Sequence, residues 1–443
     1  MLKKFDKNLI GLKKEIFDSY IKSSPSQLRV QPARLIPALK TGDEMALTSI
    51  FLSTIRLVKE YRDSIFKEIK LSRSGKVYYY TEVSFPDIND SRIDGLIIVV
   101  IKGVIVDAAF FEMKNKSNGI DKAQIESYIE ISKRLKVTKL VTISNEFVSD
   151  PAMSPIKVKV PKSISLFHFS WTYLMTKGQL LLFKNDHNIE DEDQVEIMAE
   201  TLHYFENPSS GISGYNQMKK GWNTLAENIR GQKTLKQSDE YIEEAVISWY
   251  EEEKDIALIM SRKLGVLVKP SIKNKDSLKK DIKKIVNENC INGLLNIKNA
   301  VSDIKITVEF ERQVVYMSNK IIPPLDRGTI ARISWVERQI DNFNKKDEIA
   351  FQKVEKEVWI EADIKYAKAN IKVKLSDLES LVELTKGKEI QAFHLVLARS
   401  FGKKFEQPKN FITQIEKMIL EYYKGIVQYA KSWNRPTPKI VND

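Results

Sequence analysis

Three residues in one stretch of this chain have types and spacing suited to phosphodiester chemistry: Asp94, Glu112 and Lys114. Glu112-Met113-Lys114 ends an apolar run that begins at Val104, and Asp94 opens another that reaches Val100, with Lys102-Gly103 between the two. Side chains on a strand alternate between faces, so Glu112 and Lys114 share one face while Phe111 and Met113 share the other, apolar one. The Gly-containing connection predicts an antiparallel hairpin, which sets Asp94 on the strand beside Glu112. Two carboxylates and one ammonium then converge. Mg²⁺ takes oxygen ligands, typically one or two carboxylates completed by water and substrate phosphate. Held there, it polarises a phosphoryl oxygen and supplies a hydroxide nucleophile near neutral pH. Lys114 is suited to orient that water or to stabilise charge developing on the phosphate. The plain alternative is a solvated strand face with an ordinary Glu–Lys pair, which Glu-x-Lys by itself does not exclude.

The elements that follow bear on the choice. Residues 119–136 predict an amphipathic helix with Asp121 as N-cap, Ile125, Ile129 and Leu135 on its apolar face, and a basic last turn that suits the helix dipole. Gln124 and Tyr128 lie four apart and share a face. A strand is expected at 139–144. In this order and spacing the chain resembles the PD-(D/E)xK nuclease superfamily, in its RecB-like Gln-x-x-x-Tyr branch. The residues that carry the resemblance are Ile93-Asp94-Gly95, Glu112-x-Lys114 and Gln124-x-x-x-Tyr128. It covers roughly residues 44–175, and Ile93 stands where the family's nominal Pro would be. The resemblance implies a restriction-endonuclease-like α/β core, a mixed central sheet flanked by helices. It implies Asp94 and Glu112 as ligands of Mg²⁺ or Mn²⁺, and Lys114 as the residue that assists the nucleophile. Gln124 and Tyr128 would contact metal-site water or the nucleic-acid backbone. The substrate is expected to be nucleic acid, DNA ahead of RNA. Double-strand cutting would call for a homodimer, and a partner protein is the other possibility.

Two further acids compete for a place at the metal. Glu82 ends the strand-like run Val77–Val83 and would be a third ligand if that strand abuts the Asp94 strand. Glu60 lies on a long helix expected at 44–70. Asp107 is out of phase with Asp94 and is expected at the surface.

Composition agrees with this without deciding it. The 443 residues suggest two or three domains, and 42% hydrophobic with 29% charged residues supports real cores. The net charge of +12 suits a polyanionic partner. A single cysteine, Cys290, excludes a disulfide framework and any Cys-based zinc site, and fits a reducing cytoplasm. The N-terminus has no secretory signal pattern, and no run reaches membrane-spanning length. His168, His187, His203 and His394 show no ligand spacing, and no nucleotide-binding glycine motif is present.

Residues 1–43 read as an N-terminal helix (1–22) and a Pro-punctuated linker, whose basic segment 27–34 could line a substrate path. Residues 44–211 hold the nuclease-like domain, closed by the breaker cluster Asn207-Pro208-Ser209-Ser210-Gly211. Residues 212–300 read as a helical middle region in which Trp222 and Trp249 anchor a core and 273–284 is a Lys-rich helix. Residues 301–443 read as an α+β domain without a catalytic constellation. Three readings remain: a metal-dependent nuclease; a non-catalytic nucleic-acid-binding or sensor scaffold that retains the fold; or a nuclease held silent by its C-terminal region until triggered, as in a prokaryotic defence or stress system.

Overall fold

The computed structural model describes residues 8–23, 28–32, 42–116, 118–148, 151–182, 189–271, 273 and 275–434. The chain is mixed α/β and divides into two compact units, Met1–Tyr215 with Ser261–Gly265, and Asn216–Met260 with Val266–Asp443.

The first unit contains α1 (Lys14–Ser23), β1 (Arg29–Pro32), α2 (Glu44–Leu57), α3 (Lys59–Glu68), β2 (Lys76–Phe85), β3 (Asn89–Ile101), β4 (Val104–Met113), α4 (Lys122–Leu135), β5 (Lys139–Ser144), β6 (Ser165–Ser170), α5 (Trp171–Leu182) and α6 (Glu192–Glu206). Its six strands lie in sequence order, β1 to β6. The first four pair antiparallel, and β4–β5–β6 pair parallel. The change of direction follows from the connections. β3 and β4 are joined by the Lys102-Gly103 turn, where both residues have positive φ, whereas α4 crosses from β4 to β5 and returns the chain parallel.

Strand alternation divides the apolar side chains between two cores. Ile97, Val99, Phe111 and Met113 join Phe51, Ile55, Tyr61 and Trp171 on the side of α2, α3, α5 and α6. Leu96, Ile98, Ala108 and Phe110 join Phe17, Ile125, Tyr128 and Leu135 on the side of α1 and α4. Each buried Leu, Ile, Val or Phe contributes about 1.5–3 kcal/mol. A sheet apolar on both faces must therefore carry helices on both, and this fixes its floor and walls.

Two expected helices differ. The helix expected at 44–70 breaks at Val58, whose extended backbone (φ −104°, ψ 103°) turns its side chain into the core, and Gln194 Oε1 accepts the Lys59 N–H at 2.7 Å to start α3 afresh. The N-terminal helix begins only at Lys14. Before it, Leu9 and Gly11 donate to the carbonyls of Leu135 and Ile105, so this segment spends its hydrogen bonds on neighbouring elements. Residues 1–7 lie outside the described residues, as do His187 and all but residues 28–32 of the basic 27–34 segment; Arg29–Pro32 pairs with β2 as an edge strand.

The second unit contains α7 (Lys220–Arg230), α8 (Glu240–Leu264, whose last residues group with the first unit), β7 (Val268–Pro270), α9 (Lys275–Glu288), β8 (Cys290–Ile297), β9 (Ile304–Glu309), β10 (Val314–Ile321), α10 (Thr329–Lys346), α11 (Glu348–Gln352), β11 (Val358–Ile364), β12 (Ile371–Lys374), α12 (Ser380–Leu384), β13 (Ile390–Ser400) and α13 (Pro408–Gly425). Its seven strands form one antiparallel sheet in the order β12-β11-β13-β10-β9-β8-β7. The helical stretch after 215 and the C-terminal α+β stretch share this sheet, because β7 and β8 pair into it. Trp222 and Trp249 are fully buried, as expected of core anchors; Trp222 packs among Phe310, Phe405 and Phe411. Among the described residues no helix is long and apolar enough to cross a membrane.

Candidate active site

The hairpin and the helix that follows it bring Asp94, Glu112, Lys114, Gln124 and Tyr128 to one place. The β3–β4 register pairs Gly95 with Phe111, which sets Asp94 opposite Glu112, and Asp94 Oδ2 accepts the Met113 N–H at 2.7 Å. Gly95 is required for this approach. A Cβ there would come within 2.9 Å of Leu52 Cδ1 and 3.2 Å of Phe111 Cβ. Lys114 is held through its backbone from both sides: its N–H donates to Ile143 O at 2.8 Å, and its carbonyl accepts the indole N–H of the buried Trp171 at 2.9 Å. Its ammonium therefore has one way to go, and Nζ lies 2.7 Å from Glu112 Oε1.

Glu112 is 0% exposed and Lys114 18%. Apart from this ion pair, neither Glu112 oxygen has a hydrogen bond of normal geometry. Burial, and then the charge of Glu112, push the Asp94 carboxyl well above its usual range, although the Met113 N–H and Lys114 pull it down. Burial likewise raises Glu112 against the opposing pull of Lys114. For Lys114 burial works to lower the pKa, but the bond and charge of Glu112, with Asp94 and Glu44, outweigh it and raise it. Two facing acids with one ammonium make a pocket short of positive charge, which is what a divalent cation supplies.

Helix α4 reaches the site as its N-cap predicts. Asp121 accepts the Gln124 N–H, and Glu146 Oε2 accepts the Ile120 N–H at 2.9 Å, so the first turn is fastened to the end of β5. Gln124 Nε2 donates to the Tyr128 hydroxyl at 2.8 Å, and that hydroxyl donates to the Arg92 carbonyl. Burial first, then the charges of Glu112 and Asp94, push the phenol far up, so Tyr128 is a permanent donor. Its ring is fully buried. Tyr128 thus pins β3 at Arg92, and Gln124 is the member of the pair that lines the open cavity.

That cavity encloses about 720 Å³ and is lined by Gly42, Asp43, Glu44, Arg92, Asp94, Lys114, Asn115, Lys116, Asn118 and Gln124, among others. Several of these were not singled out from sequence. Glu44, in the first turn of α2, accepts from the Asn115 N–H at 3.2 Å and Asn118 Nδ2 at 2.9 Å, and its other oxygen is 3.9 Å from Lys114 Nζ. Asn115 is 1% exposed and its amide donates to the carbonyls of Gly42 and Ser210. The breaker cluster at 207–211 is therefore tied to the loop after Lys114, and the first unit runs on to Tyr215. The signal for Glu44 was local: an Asp-Glu pair opening an apolar helix is an N-cap with an acidic first turn, and Asp43 does accept the Met45 N–H.

The competing acids separate. Glu60 lies on α3, outside the cavity lining. Asp107 is no surface residue: it is 17% exposed, pairs with Lys139 at 2.7 Å and accepts the Ser72 N–H at 2.9 Å, so it braces the far end of β4. Glu82 does sit opposite Asp94, between the pairs Thr81–Gly95 and Val83–Ile93, but its Oε2 is 2.7 Å from Arg92 Nη1. Among the described residues no three His, Cys, Asp or Glu side chains are placed to hold a metal ion together. The facing carboxylates that could hold a cation are Asp94, whose Oδ2 already accepts the Met113 N–H, and Glu112, whose Oε1 already meets Lys114, the remaining positions falling to water or substrate. His168 is a packing residue, its ring nitrogens 2.8 Å from Thr142 Oγ1 and 2.9 Å from the Glu146 carbonyl. No family model, curated protein or solved structure matches the chain.

Proposed function

We propose that this protein is a metal-dependent nuclease, with its first unit a restriction-endonuclease-like core and Asp94 and Glu112 the ligands of Mg²⁺ or Mn²⁺. The observation that carries the proposal is Glu112: a fully buried carboxylate set opposite Asp94 and paired with Lys114 at 2.7 Å, behind an open polar cavity that Asp94 and Lys114 line. Two facing carboxylates, one of them fully buried, that share a single ammonium are costly unless further positive charge completes the site. A bound Mg²⁺ would supply Lewis acidity toward a phosphoryl oxygen and a water of lowered pKa. The chain's own residues do the rest. Lys114 stands where it can hold that water and meet charge on the phosphate; Tyr128 keeps β3 in register; Gln124 and Asn118 offer amides to the strand being cut. DNA is the proposed substrate. Control of cutting by the second unit, as in a defence or stress nuclease, is part of the same proposal.

The test is cleavage of single- and double-stranded DNA and of RNA with Mg²⁺ or Mn²⁺ and with EDTA, for the parent and Asp94→Asn. Metal-dependent cutting that falls by at least about a hundredfold in Asp94→Asn is expected. Equal cutting by parent and variant would refute it. The pairing of Glu82 with Arg92 favours one other reading, a binding scaffold that keeps the fold. Nucleic-acid binding indifferent to EDTA, with no turnover on any substrate, would select it.

A further inference from the structure

We infer that Arg92 grips a substrate phosphate beside the metal pair, and that Glu82 positions Arg92 instead of ligating the metal. This rests on the nuclease reading and adds to it a phosphate-binding residue and the device that aims it.

Arg92 lines the cavity together with Asp94, Lys114 and Gln124. Its side chain is 56% exposed, while Glu82, its partner at 2.7 Å, is 9% exposed. One end of the fork is thus anchored in the protein and the rest stays accessible. A guanidinium has five N–H donors in a rigid plane matched to phosphate, so a bond to one carboxylate leaves donors over. The backbone is anchored as well. The Arg92 carbonyl accepts the Tyr128 hydroxyl, and Ser91 Oγ meets Ser127 Oγ at 2.8 Å, so α4 holds the strand on both sides of the residue.

Glu82 carries the second, independent mark. Its φ is +55° within β2, a left-handed conformation that L residues rarely adopt. The consequence is visible in the core: Tyr80, Val83 and Phe85 all enter the α4-side core, so the alternation changes phase at Glu82. β3 changes phase at the same level, since Leu96 and Ile93 both enter that core. Without the kink, Glu82 would follow Tyr80 into apolar packing. With it, the carboxylate meets Arg92. Glu82 Oε2 is taken by Arg92, and a carboxylate neutralised by a guanidinium is a poor ligand for a dication.

The experiment uses full-length parent, Arg92→Ala, Arg92→Lys, Glu82→Ala and Glu82→Gln. Binding of a labelled DNA oligonucleotide is measured in EDTA over a salt series. KM and kcat for cleavage are then measured across a Mn²⁺ titration. Arg92→Ala should weaken oligonucleotide binding roughly ten- to hundredfold and lower the salt slope by about one. Its Mn²⁺ midpoint should stay parental, and Arg92→Lys should recover part of the loss. Because Arg92 is half exposed, these variants leave the core intact. Glu82→Ala should weaken binding in the same direction, also at a parental Mn²⁺ midpoint, and Glu82→Gln, which keeps an acceptor for Arg92, should weaken it less. Parental binding by Arg92→Ala overturns the assignment. So does a Mn²⁺ midpoint shifted about tenfold or more in the Glu82 variants, which would make Glu82 a metal ligand. A parent that cuts beside an indifferent Arg92→Ala removes only this inference. A parent that neither binds nor cuts removes the nuclease reading, and this inference with it.

Discussion

Replacing Lys114 by Met keeps the side chain's length and apolar stem but leaves Glu112, 0% exposed, without its ion-pair partner among the described residues, which stood at 2.7 Å. Breaking a buried pair from one side typically costs about 3–5 kcal/mol, because a charge remains buried alone. Here a proton caps the cost. Bringing a proton at pH 7 to a carboxyl whose ordinary pKa is 4.5 takes about 3.4 kcal/mol. Burial has already raised Glu112, so the cap lies lower, and a loss of about 2–3 kcal/mol at pH 7 is expected. The first unit runs to Tyr215, a size at which each kcal/mol moves the melting temperature by about 2–4 °C, so the drop is about 4–12 °C. The loss should shrink on acidification, by up to about 1.4 kcal/mol per pH unit, as Glu112 takes up a proton. Thermal unfolding of parent, Lys114→Met and Lys114→Met/Glu112→Gln in EDTA from pH 5 to 8 measures this. An equal loss at pH 5 and pH 7, or a double variant no more stable than the single one, would show that packing rather than charge is at stake and would refute the reasoning.

The raised carboxyls predict a pH dependence of the same origin. Asp94 and Glu112 hold protons more tightly folded than unfolded, so their contribution is fully present below the ordinary values of 3.8 and 4.5 and is lost as pH rises through the folded values. In EDTA, stability should therefore fall with rising pH above that range, while the stabilisation added by Mg²⁺ should grow as the ligands lose their protons; urea midpoints that rise with pH in EDTA would contradict this. Asn115→Ala removes two buried hydrogen bonds to Gly42 and Ser210 and should cost about 1–3 kcal/mol while lowering cleavage through the loop that carries Lys114; a variant as stable and active as the parent would show that the tie to residues 207–211 is idle.

Much of the first unit was legible because its signals are local. Asp121 caps α4 as its position predicts, the Lys102-Gly103 turn closes the hairpin, and Phe111 and Met113 face the core while Glu112 and Lys114 face the site. Each depends on residues a few positions apart. The break at Val58 and the late start of α1 were not legible, since each is set by partners far along the chain: Gln194 for the first, Leu135 and Ile105 for the second. A period-3.6 pattern records that a segment buries one face; it does not record where a distant group offers a better hydrogen bond.

The site divides along the same line. Sequence alone determined which carboxylates, ammonium and phenol share a hairpin and a helix face, because strand alternation and i, i+4 spacing are covalent geometry expressed through one element. Only the tertiary structure decided the surroundings. It brought Glu44 and Asn115 to Lys114, left Glu60 outside the cavity, gave Asp107 to Lys139, and turned Glu82 toward Arg92 by a positive φ that no residue type announces. The reason is physical: an acid's role depends on which cation lies within about 4 Å of it and on how much water is excluded, and both are properties of packed elements rather than of any one segment.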